Sequence, residues 1–330
     1  MPRLYLAEYH QALKGKHICI ACREGILRDN LSHIVADVKF LVRHGIRTTL
    51  YHNMANRFAN KKHFRLLADR LPETTIRRVA PEVDFYRYVL DREQSVFKLI
   101  FLERKYLCDR KGYRINTLTT QDTIQKYDEI VANVNLAGAL GEICDRISEG
   151  GYDRVHILPA RKNSIKHELF TVEGTGTLIA NNFQEEFLPA VTDQHVEMIA
   201  GILDLYKKKG FLKPRNKHYL LDHRERFRLT MIDGIAVGCA EWIEIDSHTI
   251  ELGALAISTR FRNQRIGVFT VTAFEGEAKR MGFGRIISLT NNPLLHSLYS
   301  QLGFRQGDLP EYATRRASSP EVTLFYKDLR

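Results

Sequence analysis

The residues from Arg260 to Gly267 have the composition of an anion-binding turn. The apolar run before them, 251–258, is too short for an ordinary helix and predicts a buried strand. Apolar residues recur at helical spacing from Val268 to Met281, and Gly282 predicts the end of that helix. A strand, a turn and a helix in this order direct the N–H groups and the dipole of the helix N-terminus at a phosphate. The sequence therefore predicts a phosphate-binding turn here.

Further elements of the C-terminal half surround this turn. An amphipathic helix is predicted from Val196 to Tyr206, ending at Gly210. Asp233-Gly234 between two apolar runs is a strong hairpin signal. A strand is predicted at Arg285–Leu289, followed by a further helix and strand.

The N-terminal half alternates strand and helix patterns. A strand at His17–Ala21, a helix at Leu31–Arg43 and a strand at Arg47–Tyr51 predict a βαβ start. The pattern recurs as a helix at Ala132–Glu149 and a strand at Arg154–Leu158. We therefore predict an α/β fold with a parallel sheet.

The 330 residues are enough for two domains, each with its own core. The segment 180–186 is polar and without periodicity, so we predict domains at 1–183 and 187–330. No apolar run approaches the length of a membrane span, and the start of the chain lacks the pattern of a secretory signal, so we expect a cytoplasmic protein.

The formal net charge of +10 raises the question of nucleic acid. The basic residues are scattered rather than gathered in one stripe, so we expect small anionic ligands and neither nucleic acid nor membrane. The five cysteines have irregular spacing, and Cys19 and Cys22 lie in an apolar run without a second metal-binding pair. We interpret Cys19 and Cys22 as buried strand cysteines and expect no metal.

The turn and its flanking elements resemble the acyl-CoA loop of the GNAT acetyltransferase superfamily, Gln/Arg-x-x-Gly-x-Gly/Ala. The matching frame runs from Arg262 to Gly267, with Arg265 at the central glycine. The arginine either adds charge at the pyrophosphate or closes the site. The sequences of several segments resemble the N-acetylglutamate synthase branch, although the tail after Asp308 departs from the pattern of that branch. The resemblance implies acetyl-CoA as co-substrate, and these residues as its binding site: Ala256, Ile257, Arg262, Gln264, Arg265, Ile266, Gly267, Asn291 and Asn292.

The resemblance also implies catalytic residues. An α-amino group must lose a proton before it attacks a thioester, and the departing thiolate must be stabilised. Glu251 matches the general base, and Tyr299 matches the tyrosine that faces the CoA sulfur. An exposed, salt-bridged glutamate and a core aromatic are the alternatives. Asn291 and Asn292 could equally be turn formers.

Arg215 and Arg316 match positions that contact the glutamate substrate in that branch. Guanidinium groups bind carboxylates bidentately, so we expect both to bind substrate carboxylates. The alternative for each is a solvated surface arginine.

The N-terminal half resembles the amino-acid kinase fold through Glu168-Leu-Phe-Thr and the Gly-x-Gly-Thr that follows it. The lysine and glycines that would bind phosphates are replaced by Ala21, Arg23 and Glu24. The second glycine turn reads Asn53-Met-Ala. We therefore expect no phosphoryl transfer.

An arginine-sensing site occurs in regulated relatives of this kind. Tyr9, His156, Glu168 and Gly174 match its positions, and each has an ordinary structural alternative. We expect this half to act as a feedback sensor or as the platform of a homo-oligomer.

Three functions follow from this reading. The first is acetyl-CoA-dependent N-acetylation of an amino acid, foremost L-glutamate in arginine biosynthesis. The second is acetylation of another amine, and the third is a catalytically inactive protein that binds an amino acid or an acyl-CoA.

Overall fold

The structure is a computed structural model, and it describes residues 13–55, 67–93, 96–171, 174–181, 185–207, 215–232, 235–258, 266–312 and 322–329. The chain divides into two compact units, Met1–Phe183 and Gln184–Arg330. Within the described ranges, no helix is long and apolar enough to cross a bilayer.

Strands and helices alternate along the N-terminal unit. Its strands are β1 (His17–Cys22), β2 (Arg47–His52), β3 (Thr74–Arg78), β4 (Lys98–Glu103), β5 (Cys108–Asp109), β6 (Thr117–Thr119), β7 (Ile130–Val131), β8 (Arg154–Pro159) and β9 (Thr177–Ala180). Its helices are α1 (Glu24–Arg43), α2 (Phe85–Arg92), α3 (Thr120–Gln125), α4 (Val134–Ser148) and α5 (Ser164–Phe170).

Seven of these strands form one sheet in the order β3-β2-β1-β4-β8-β9-β6. All neighbours are parallel except β8 and β9. The helix between those two strands, α5, has only seven residues. At 1.5 Å per residue it is about half as long as β8, so it does not return the chain to the start of the sheet. The predicted parallel sheet is thus correct except for this pair.

Helix α1 begins at Glu24, seven residues before the predicted start. Asn30 has non-helical dihedrals (φ −125°, ψ 18°), and its Nδ2 donates to the carbonyl oxygen of Ile26 (3.1 Å). Asparagine competes with the helical backbone for hydrogen bonds, so it kinks the helix without ending it. The periodicity was visible only after this kink.

The prediction of buried strand cysteines is confirmed. Cys19 and Cys22 are fully buried in β1, and burial raises the pKa of both thiols. Among the residues described, no group of three or more His, Cys, Asp or Glu side chains could hold a metal ion.

The C-terminal unit is built on a second seven-stranded sheet, in the order β10-β11-β12-β13-β14-β16-β15. Its strands are β10 (Glu185–Pro189), β11 (Phe227–Ile232), β12 (Ile235–Glu244), β13 (Thr249–Ile257), β14 (Arg285–Thr290), β15 (Arg305–Gln306) and β16 (Thr323–Asp328). Its helices are α6 (Asp193–Lys207), α7 (Lys217–Asp222), α8 (Ile266–Arg280) and α9 (Pro293–Gln301). The predicted hairpin is confirmed as the antiparallel pair β11 and β12. Its turn, 233–234, lies outside the described residues.

Two hydrophobic clusters cover the faces of this sheet. One packs α6 and α7 against β11 and β12. The other packs α8 and α9 against β12, β13 and β14. The sheet therefore has two covered faces, which matters for the site described below.

Asp37 joins two helices of the N-terminal unit. It is 2% exposed in α1, and its carboxylate accepts the backbone N–H of Ile165 (2.9 Å) and that of Lys166. These N–H groups belong to the first turn of α5, whose N-cap residue Asn163 supplies no side-chain cap. Asp37 thus caps α5 from another helix. Burial raises the pKa of Asp37 from 3.8 to about 6, and these hydrogen bonds oppose the shift.

We predict that Asp37→Asn changes the pH dependence of stability. Between pH 3.8 and about 6 the folded state binds more protons at Asp37 than the unfolded state, so the wild-type free energy of unfolding falls as pH rises. The two pKa units correspond to on the order of 3 kcal/mol. Urea titrations at pH 4.5 and 7.5 should show the variant gaining stability relative to wild type as pH rises.

The same substitution at Asp145, on the exposed side of α4, is the matched control. A difference between wild type and Asp37→Asn that does not vary with pH would contradict the prediction.

Candidate active site of the C-terminal unit

The sheet of the C-terminal unit opens between β13 and β14. In the described part of the unit the two strands pair over three residues only, Thr249–Glu251 against Arg285–Ile287. Beyond that point Ser288 Oγ donates to the carbonyl oxygen of Leu252 (2.8 Å). The strands then continue to Ile257 and Thr290 without a ladder between them. An extended ligand that carries amides can bind such an edge as an added strand does.

A bulge bends β13 at this opening. Ala254 and Leu255 together stand opposite Ala240 of β12. Ala254 has φ +46°, a conformation that residues other than glycine rarely adopt. Bulges of this kind bend a strand and redirect its groups, and they are common next to active sites. The bulge explains why β13 leaves β14 here.

Glu251 is the last residue of β13 that pairs with β14. It lies in register between Ile243 of β12 and Ile287 of β14 and is 8% exposed. The alternative of an exposed strand-end glutamate does not describe this residue. A carboxylate beside the opening can accept a proton from an amine bound there.

Tyr299 approaches the opening from the other face of the sheet. Ile250 and Leu252 pack in the same cluster as Tyr299, so Glu251, which alternates with them, points to the opposite face. Tyr299 is fully buried, and its hydroxyl lies 2.9 Å from Ser288 Oγ. Because Ser288 donates its proton to Leu252, Tyr299 is the donor of this pair.

Burial raises the pKa of Tyr299, and the charge on Glu251 raises it further. The hydroxyl therefore keeps its proton throughout the physiological range. It is a suitable proton donor to a group that becomes basic in the opening, such as a thiolate.

The predicted cofactor residues fall into two groups. Arg262, Gln264 and Arg265 lie outside the described residues. Ala256 is buried and Ile257 half-buried at the end of β13, and Ile266 and Gly267 begin α8.

Gly267 has a packing role at the start of α8. A Cβ at this position would lie 3.3 Å from Leu298 Cδ2 of α9. A side chain here would require Leu298 to shift by a few tenths of an ångström, so the glycine eases the packing of α8 against α9.

Asn292 caps α9. Its Oδ1 accepts the backbone N–H of Leu294 (3.1 Å), and the residue is 5% exposed. Asn291, beside it, is half-buried. The turn-forming alternative thus describes one function of Asn292, and the predicted contact with pantetheine stays a prediction for both residues.

Arg215 has a partner that the sequence did not indicate. Its Nε and Nη2 lie 2.7 and 2.5 Å from Glu241 Oε2, on β12. The other oxygen, Oε1, accepts the hydroxyl of Tyr219 of α7 (2.5 Å). The Glu241 side chain is fully buried, and that of Arg215 is 14% exposed. Arg316, the second predicted carboxylate ligand, lies outside the described residues.

These contacts make Glu241 a buried carboxylate held by two donors. Burial raises the pKa of Tyr219, and its hydrogen bond to Glu241 adds to the effect. Removing one partner of a buried ion pair costs about 3–5 kcal/mol, because the other charge stays uncompensated. The alternative of a solvated surface arginine does not describe Arg215, and its predicted contact with a substrate carboxylate stays a prediction.

The only sequence signal for Glu241 was a charge inside the apolar run Val237–Ile243. Such a residue needs a buried partner. The partner lies 26 positions away, so no local pattern could identify it.

The predicted effector residues of the N-terminal unit also have partners within the chain. Glu168 Oε1 accepts from Nδ1 of His156 (2.6 Å), and Oε2 accepts the N–H groups of Thr175 (2.6 Å) and Gly176 (3.0 Å). Glu168 therefore fastens the loop after α5 to β8. Tyr9 lies outside the described residues.

Both glycines of this loop are required by its geometry. Gly174 has φ +57°, which favours glycine. A Cβ on Gly176 would lie 2.3 Å from the carbonyl oxygen of Ile157, so no side chain fits. The Glu…Gly-x-Gly string therefore has a structural explanation, and the predicted arginine site stays a prediction.

The loops that would bind phosphate in a kinase are bonded to each other. The N–H of Glu24, in the first turn of α1, donates to Asn53 Oδ1 (2.7 Å), and Glu24 Oε2 accepts the N–H of Ala55 (3.1 Å). A side chain of the protein thus uses a helix N-terminal N–H that a phosphate would need.

Arg23 contacts the end of β4 in the same region. It pairs with Glu103 (3.2 Å), which also accepts Nδ2 of Asn133 (2.7 Å) and the hydroxyl of Tyr86. The positive charge of Arg23 is thereby paired with a carboxylate of the protein. These pairings within the chain are the physical reason to keep the prediction of no phosphoryl transfer.

Comparisons with known proteins bear on both units. Residues 192–304 match the acetyltransferase (GNAT) family. An amino-acid acetyltransferase of Pseudomonas syringae pv. syringae is 27% identical over 272 residues, which are 80% of this chain and 60% of that protein. One of Pseudomonas fluorescens strain Pf0-1 is 28% identical over 219 residues, 64% of this chain and 48% of its own. The chain is similar to amino-acid acetyltransferases.

A solved structure extends the similarity to the whole fold. N-acetylglutamate synthase from Neisseria gonorrhoeae, complexed with coenzyme A and L-arginine, superposes with a TM-score of 0.59. The match covers 99% of this chain and 98% of that chain at 18% identity. The predicted resemblance and fold class are confirmed: a parallel-rich α/β unit precedes a unit that matches the GNAT family model over residues 192–304. The chain spans about three fifths of the length of the first curated relatives it matches.

We predict that Glu168→Gln destabilises the N-terminal unit. An amide offers one acceptor in place of two, so a buried donor among His156, Thr175 and Gly176 loses its partner. The expected loss is about 2–3 kcal/mol in the free energy of unfolding by urea. Hydrogen exchange at Thr175 and Gly176 should accelerate.

Glu149→Gln, at the exposed end of α4, is the matched control. Equal effects of the two substitutions would show that Glu168 does not fasten the loop.

Proposed function

We propose that this protein transfers the acetyl group of acetyl-CoA to the amine of an amino acid, with L-glutamate as the first acceptor to test. The observation that carries the proposal is the opening between β13 and β14, with Glu251 on one face and Tyr299 on the other. The names of the matched relatives and the coenzyme A in the Neisseria gonorrhoeae structure support the same activity.

The proposed reaction is a direct attack on the thioester. Glu251 accepts a proton from the acceptor ammonium group, directly or through water, and the amine nitrogen bonds to the acetyl carbonyl carbon. The bond from carbon to sulfur then breaks, and Tyr299 turns its O–H away from Ser288 and donates the proton to the departing thiolate. The nitrogen loses its remaining extra proton, which passes through water to Tyr299 and restores its hydroxyl, and Glu251 releases the first proton to solvent. The products are the N-acetylated amine and the free thiol of CoA.

Among the described residues near the opening, Cys239 is the candidate for a covalent intermediate, and its environment does not support that role. Cys239 lies on the α6 face of β12 but is fully buried, and burial raises its thiol pKa to about 12. A thiol needs its thiolate form to act as a nucleophile. Direct attack is therefore the mechanism we propose.

Acyl-CoA would bind along the free edge of β13, with its pyrophosphate at the turn before α8. Ala256 and Ile257 lie on that edge, and Ile266 and Gly267 begin the helix. The sequence adds three further residues to this proposed binding site, Arg262, Gln264 and Arg265. In the proposal Arg265 supplies positive charge at the pyrophosphate.

Roles of the N-terminal unit stay predictions. Glu168 already accepts three donors of the chain, so an arginine ligand would have to share or replace them. Calorimetric titration with L-arginine, compared with Glu168→Ala, tests the sensor, and absence of heat in wild type would contradict it. Light scattering tests homo-oligomerisation through this unit.

We predict that Glu251→Gln lowers kcat/KM by about 10²–10⁴-fold, because general base catalysis contributes about that factor. Tyr299→Phe should lower kcat with a smaller effect on the KM for acetyl-CoA. The measurement is release of the CoA thiol with L-glutamate and other amino acids as acceptors.

Glu244→Gln, exposed on β12, is the control and should match wild type. A Glu251→Gln variant as active as this control would overturn the assignment of the base. A wild-type protein that binds acetyl-CoA without releasing thiol in the presence of any amine would contradict the proposed function.

A further inference from the structure

We infer that no carboxylate of the acceptor binds the Nε–Nη2 edge of Arg215. The acceptor therefore carries an uncharged group at this place, as an amino-acid amide does. The inference rests on the proposed function and narrows its substrate class. It follows from the partner that Arg215 has within the chain.

The ion pair borders the space in which an acceptor must lie. Glu241 stands opposite Gly253 of β13, and a Cβ on Gly253 would lie 3.4 Å from Glu241 Oε2. Glu251 is two residues from Gly253 on the same strand and therefore on the same face. Two residues span about 7 Å of strand. An amine within reach of Glu251 is thus next to the pair of Glu241 and Arg215.

Glu241 holds the edge of Arg215 that recognises carboxylates. Both Nε and Nη2 point at its Oε2. A carboxylate of the acceptor offers the same chemistry and would have to displace it. Displacement would leave Glu241 buried without its cation, and Tyr219 would be its one remaining donor among the contacts described above.

The penalty for this exchange decides the specificity. A buried charge left without its partner weakens binding by a hundredfold or more. An acceptor with an amide in this place avoids that penalty.

The pair thereby changes the role predicted for Arg215. Its guanidinium neutralises a carboxylate of the protein and orients it beneath Gly253. To bind a substrate carboxylate, Arg215 would need the Nε–Nη2 edge of its guanidinium exposed and directed into the opening.

The test compares four acceptors that differ only in their carboxylates: L-glutamate, L-glutamine, L-isoglutamine and the diamide of glutamic acid. In wild type, the mono-amide that replaces the carboxylate next to Arg215 should have a kcat/KM about a hundredfold above that of L-glutamate. A higher kcat/KM for L-glutamate than for both mono-amides would overturn the inference. Glu241→Gln releases the charge of Arg215, so it should shift the preference toward L-glutamate by about tenfold or more.

A double variant, Arg215→Gln with Glu241→Gln, keeps the matched size and a neutral hydrogen bond, and so avoids an unpaired buried charge. Its KM for L-glutamate should stay within about threefold of wild type. Glu244→Gln is again the control. If both mono-amides lose more than a hundredfold in wild type and the double variant loses L-glutamate, the inference is overturned.

Binding separates this inference from the proposed function. If wild type binds acetyl-CoA but acetylates neither the four acceptors nor any other amine, the proposed function fails. Thermal shifts with about 10 mM acceptor, on the order of a hundred times an ordinary KM, then decide the inference. L-glutamate should then raise the melting temperature of Glu241→Gln more than that of wild type. An equal shift in both, lost in the double variant, would overturn it.

Discussion

The early separation of β13 from β14 is the constraint on which the chemistry of the C-terminal unit depends. Three residues pair, and the bulge at Ala254 then bends β13 away. The separation leaves one strand edge for an extended ligand and lets side chains reach it from both faces. Glu251 of β13 and Tyr299 of α9 owe their relation to this geometry, because the opening lies between the two faces of the sheet on which they stand.

Buried carboxylates with several donors recur in both units. Glu241, Glu168 and Glu103 each accept at least two hydrogen bonds from groups outside their own strand or helix. Glu168 is itself a predicted effector residue, whereas Glu241 and Glu103 pair with Arg215 and Arg23, which occupy a predicted substrate position and a predicted phosphate position. A buried protein carboxylate at such a position stabilises the fold. It also changes which ligand can bind, because the donors that a ligand would need already have an acceptor within the protein.

Much of the fold and part of the site could be predicted from sequence. Periodicity located the strand with Glu251 and the helix with Tyr299, because both depend on local patterns. It did not indicate the partner of Arg215, because a pair between a residue just before α7 and Glu241 of β12 depends on the tertiary fold. The cap that Asp37 provides was hidden for the same reason, since 128 residues separate it from Ile165. The kink at Asn30 shortened the predicted helix, because its polar side chain masked the earlier turns.

Hydrogen exchange with and without coenzyme A tests the central claim, that the opening beside β13 binds the acyl donor. The account predicts slower exchange in peptides that cover Leu252–Ile257 and the first turn of α8, at Ile266 and Gly267. Peptides of the parallel sheet in the N-terminal unit should not change at the loops of Glu24 and Asn53. Unchanged exchange along β13 with saturating coenzyme A, or protection confined to the N-terminal unit, would contradict the account.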